Sequence, residues 1–60
     1  MIHPQEESNI FLFKALNSAK NGDYDMMLNH LINAVEYAPI DQNQVNYIVD
    51  RWYEVEKLKK

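Results

Sequence analysis

Cysteine is absent from these 60 residues, which excludes disulfides and thiolate zinc sites and leaves compartment unreadable from cysteine usage. Glycine occurs once, at Gly22, so no glycine-rich phosphate loop can form. Histidine occurs twice. His3 and His30 are far apart in sequence, and the one carboxylate at helical ligand spacing, Glu7 after His3, falls in the entry to a helix; both read as surface histidines. Lys and Arg are missing from residues 21–50, where Asp23, Asp25, Glu36, Asp41 and Asp50 stand. A generic phosphate-binding surface needs clustered cations, and the formal net charge of −3 argues against one. The apolar run at residues 10–13 is too short for a membrane span or a signal-peptide core, and residues 1–7 lack a cationic start. A cytoplasmic location is the expectation.

Sixty residues make one small domain. A chain of this length buries only about 60% of the surface its unfolded form exposes. Its core alone supplies on the order of 3–5 kcal/mol. With disulfides excluded and a metal staple disfavoured, association is the stabiliser left.

What is present is helical punctuation. Asn21-Gly22-Asp23-Tyr24-Asp25 lies between two segments of helical periodicity, and Pro39 closes the second. Glycine supplies the backbone freedom that ends one helix, and an Asp caps the next. The spacing predicts three helices, over residues of about 6–20, 24–38 and 42–58. The first begins near Glu6 or Ser8, where Ser8 can cap, Glu6 and Glu7 suit a helix start and Pro4 with Gln5 forms the entry; Leu12, Ala15, Leu16 and Ala19 make one apolar face. Residues 10–13 are apolar all the way round one turn, which a single neighbouring helix cannot cover. The second helix carries a stripe of Met27, Leu28, Leu31, Ala34, Val35 and Ala38, and Pro39 stops it. The third opens on Asp41 with Gln44 three residues on, the pattern of a capping box, and carries Val45, Ile48, Val49, Trp52 and Val55. Glu56 and Lys60 stand at favourable ion-pair spacing. Four of the six basic residues, Arg51, Lys57, Lys59 and Lys60, suit the negative end of that helix. The fold class is all-α, a three-helix bundle.

Residues 8–41 resemble a single tetratricopeptide repeat, a helix–turn–helix unit defined by spaced aromatic, small and proline positions. Phe11 stands at the leading aromatic position and Ala15 at the small position after it; Gly22-Asp23-Tyr24-Asp25 matches the turn; Leu31, Ala34 and Pro39 fall at matching places. Lys14, Ser18 and Met27 depart from the family's leucine, tyrosine and alanine. The resemblance implies a TPR-like hairpin followed by a capping third helix, with Trp52 laid across it. It also implies apolar surface that one repeat cannot bury by itself.

No catalytic or cofactor-binding set emerges. Asp23 and Asp25 lack the twelve-residue loop and terminal Glu of a calcium site, and no Ser–His–Asp set is readable. The expectation is a non-enzyme without cofactor or metal. The candidate interaction residues are Phe11, Phe13, Tyr37, Tyr47, Arg51, Tyr53 and Leu58, a surplus of aromatics over what so small a core can hide. Tyr47, Arg51, Glu54 and Leu58 follow i, i+4, i+7, i+11 on one side of the third helix, and Tyr and Arg are enriched at binding hot spots.

The expected function is a protein–protein interaction module, a small regulator, adaptor or inhibitor that docks on a larger protein. A homodimer sharing the outer aromatics is expected with it. The alternative is a helix–turn–helix DNA-binding regulator, with Gln42, Asn43, Gln44 and Asn46 reading bases from the start of the third helix. The lack of cations over residues 21–50 weighs against nucleic acid. An acidic decoy for a nucleic-acid-binding protein is a third option, disfavoured because the carboxylates are scattered.

Overall fold

The computed structural model describes residues 3–59 as three helices: α1 (Pro4–Lys20), α2 (Tyr24–Tyr37) and α3 (Gln42–Leu58). The chain is an all-α three-helix bundle.

The α1–α2 junction is built from backbone chemistry that the sequence spells out. Gly22 sits at φ +76°, a left-handed conformation that side-chain-bearing residues rarely adopt. The N–H of Asp23 reaches the carbonyl of Ser18 at 2.9 Å and that of Gly22 reaches Ala19 at 3.0 Å, which is the Schellman closure of a helix. The Asp23 carboxylate then accepts the N–H of Met26 at 3.2 Å and opens α2. At the other end Ala38 is fully extended, as a residue before proline must be, and α2 stops at Tyr37. Asp41 caps α3 by accepting the N–H of Asn43 at 2.9 Å. The cap is therefore an Asp bonded to its second following neighbour, without the reciprocal bond to Gln44 that a capping box requires.

Two expectations are corrected. Ser8 is not a cap: α1 begins at Pro4, whose fixed φ suits the first helical position, and Ser8 lies one turn inside with no exposed surface. Val35 is not core: it is 55% exposed, because α2 turns Met27, Leu31 and Ala34 inward and α3 does not reach across to Val35. The proposed Glu56–Lys60 pair lies outside the described residues; Glu56 instead accepts from Lys59 at 3.4 Å.

The core is Leu12, Ala15 and Ala19 of α1, Met27, Leu31 and Ala34 of α2, and Ile48 of α3. Three alanines without exposed surface let the α1 and α2 backbones approach closely, and Met27 fills the space between them. α1 packs extensively on α2 and over a shorter stretch on α3. α3 buries Ile48 and lays Val45, Val49 and Trp52 against the hairpin half-buried. The described residues span 45 × 18 × 12 Å with a radius of gyration of 11.7 Å. A compact domain of this length has a radius near ~10 Å. The bundle is elongated, and each helix keeps a side open.

Candidate interaction groove

A groove of about 590 Å3 lies between the middle of α1 and the first two turns of α3. Its floor is apolar, made by Leu12 and Leu16 of α1 and Ile48 of α3. Phe13 rises from α1 on one wall, 72% exposed, and Tyr47 from α3 on the other, 46% exposed. Asn9, Asn43 and Gln44 complete the rim. The lining thus joins an apolar floor, two accessible aromatic rings and three uncharged carboxamides, each of which both donates and accepts. That combination suits an apolar segment of protein with satisfied polar edges, and it offers no charge to attract phosphate.

Tyr47 is held from its far side. Arg51 Nε donates to the Tyr47 hydroxyl at 3.4 Å, and the guanidinium carbon lies 5.5 Å from the ring centroid. Arg51 NH1 also donates to Glu54 at 3.0 Å. Contact with the Tyr47 hydroxyl, reinforced by the Glu54 carboxylate, raises the guanidinium pKa above its ordinary value. The group stays cationic at any relevant pH and sets a positive charge beside the groove.

The seven residues singled out from sequence separate into distinct places. Phe13 and Tyr47 line the groove, with Arg51 behind Tyr47. Phe11 is half-buried on another side of α1, stacked on Tyr37 at 5.5 Å with the Lys14 ammonium 5.0 Å from its centroid. Tyr53 joins Trp52 at 5.0 Å, and Trp52 joins Tyr24 at 4.7 Å. Leu58 stands near the end of α3, 86% exposed. Sequence reasoning missed the groove's carboxamides and floor as site residues. From sequence Asn43 reads as a base reader and Gln44 as a base reader or capping-box partner; Gln42 and Asn46 bond to each other at 3.2 Å, away from the groove.

Among the described residues three buried polar atoms have no hydrogen-bond partner: Ser8 Oγ, His30 Nδ1 and Trp52 Nε1. They lie apart, and among the described residues no three His, Asp or Glu cluster as metal ligands would. No described helix is long and apolar enough to cross a membrane. No protein-family model, curated protein or solved structure matches the chain.

Proposed function

We propose that this chain is a non-catalytic protein-interaction module, a small cytoplasmic regulator, adaptor or inhibitor that receives a larger protein in the α1–α3 groove. One observation carries the reading: Phe13 is 72% exposed beside an apolar floor that the bundle itself does not fill. A ring of that size left in water forfeits about 1.5–3 kcal/mol of burial, and a docking segment recovers it. Tyr47, steadied by Arg51, is the second anchor. The hairpin of α1 and α2 followed by α3 has the order of elements that a tetratricopeptide-like unit with a capping helix requires, and we include that likeness in the proposal.

The same reading makes the protein a homodimer, since more large apolar side chains stand exposed than a lone bundle of this size tolerates. Nucleic acid is left aside for the electrostatic reason: the exposed amides at the start of α3 have no Lys or Arg among their neighbours in residues 21–50. The test is co-purification with quantitative follow-up. A stoichiometric partner captured by the wild-type chain is expected to be lost with Phe13→Asp and with Tyr47→Ala, while Leu58→Ala retains it. Capture that survives both groove variants overturns the reading.

A further inference from the structure

Asn21 is the one asparagine of seven that precedes a glycine. An asparagine side chain is open to attack by the backbone nitrogen of the next residue, which closes a five-membered ring. A side chain on that next residue crowds the approach, and glycine has none. Asn21 is the C-cap of α1, and it is exposed to the water and hydroxide such a reaction needs. The other six asparagines lie inside α1, α2 or α3, each before a residue that bears a side chain.

The fold holds the pair away from that ring in three ways. Asn21 stands at ψ −3°, whereas ring closure eclipses its Cβ with the next nitrogen at a ψ of about −120°, outside the α and β regions open to an L-residue. The attacking nitrogen is also occupied. The Gly22 N–H donates to the Ala19 carbonyl at 3.0 Å, and the Asp23 N–H donates to the Ser18 carbonyl at 2.9 Å. Finally, α3 covers the turn, since a methyl added at Gly22 would meet the Lys59 ammonium and, at 3.5 Å, Val55 Cγ1.

We propose that Asn21-Gly22 is a deamidation site latched by the α1 cap, protected while the last turn of α1 is closed and reactive when it opens. Opening of the helix end, locally or with the whole bundle, releases the latch. In the open chain hydroxide takes the Gly22 amide proton, and the nitrogen attacks Asn21 Cγ. The N–Cγ bond forms, the Cγ–Nδ2 bond breaks, and the side-chain amide leaves as ammonia. Water then splits the cyclic imide at one of its two carbonyl carbons. Attack at Cγ leaves an aspartate in the ordinary backbone; attack at the main-chain carbon leaves an isoaspartate, whose backbone runs through the side chain. Either product takes the net charge of −3 one unit further negative. That charge falls among Lys20, Lys59, Asp23 and Asp25, groups of both signs, so charge is the lesser effect. The isoaspartate adds a methylene to the backbone and draws the Gly22 and Asp23 N–H groups away from their carbonyls, which breaks the turn.

Incubation of the intact chain, followed by peptide mapping with mass spectrometry, tests this. One mildly alkaline pH and one temperature serve for both native buffer and guanidinium chloride beyond the unfolding midpoint. In denaturant Asn21 is expected to convert first among the seven asparagines; in native buffer it is expected to convert at least about 10-fold more slowly. Asn21→Gln, which would need a larger ring, is expected to abolish the early product. Chain converted in denaturant and returned to native buffer is expected to melt below the wild type. Equal rates in the two buffers overturn the latch. Another asparagine converting before Asn21 in denaturant, or an early product that survives Asn21→Gln, overturns the site. An unchanged melt of the converted chain overturns the damage to the turn.

Discussion

Phe11 and Phe13 stand two residues apart on α1 and lead opposite lives. Phe11 is half-buried and stacked on Tyr37 at 5.5 Å, while Phe13 is 72% exposed at the groove wall. Two positions along a helix turn a side chain through roughly 200°, so both cannot face one neighbour. Phe11→Ala is therefore expected to cost about 1–3 kcal/mol, from lost burial and a lost ring pair. Phe13→Ala is expected to stay within about 0.5 kcal/mol. Urea denaturation followed by circular dichroism separates the two; equal losses would mean that Phe13 is sheltered in solution.

Gly22→Ala tests the hairpin turn. At φ +76° an alanine is expected to cost about 1–2 kcal/mol through its backbone alone. The added methyl also meets the end of the Lys59 side chain, which can swing away, so the backbone strain sets the result. Gly22→Asn is expected to cost less, because Asn tolerates the left-handed region. Thermal melts of the two variants should rank in that order.

The junctions were legible in the sequence because their causes are local. Gly22, Asp23, Asp41 and Pro39 act on backbone groups within a few residues, and the starts of α2 and α3 follow from them. Ser8 was misread for a reason of the same kind: a Ser before an apolar run resembles a cap, but Pro4 and the first-turn Glu6 and Glu7 had already begun the helix. Val35 and the groove were a different matter. Whether a flank of α2 is covered, and whether Phe13 is sheltered, depends on where α3 lands, whereas Phe11 is sheltered by His30 and Tyr37 of α2. Periodicity gives α3 an apolar stripe without saying which side of the hairpin receives it. Asn9, Asn43 and Gln44 read as ordinary solvated amides until α1 and α3 bring them round one apolar floor.

Met27→Ala is the severe variant. Met27 has no exposed surface and fills the space between α1 and α2. Truncating a fully buried Met costs about 2–5 kcal/mol. A core of this size offers on the order of 3–5 kcal/mol in total. The variant is expected to be largely unfolded at low concentration and, where the proposed dimer forms, to regain helix as concentration rises. Circular dichroism at two concentrations reads this directly; a fully helical variant at both would mean that the core is far more stable than its size allows.

Ser8→Ala is expected to go the other way. Ser8 has no exposed surface, and its hydroxyl has no hydrogen-bond partner. A buried hydroxyl in that state costs about 1–3 kcal/mol of desolvation without return. Alanine fits the same space and is also the better helix former, by about 0.5 kcal/mol. The sum is a gain of roughly 1 kcal/mol or more, which raises the melting temperature of a small domain by about 4–8 °C per kcal/mol. The competing possibility is that the hydroxyl rotates to donate to the carbonyl one turn back, at Pro4. In that case Ala would leave the carbonyl unmet and lower the melting temperature. The sign of the shift decides between them.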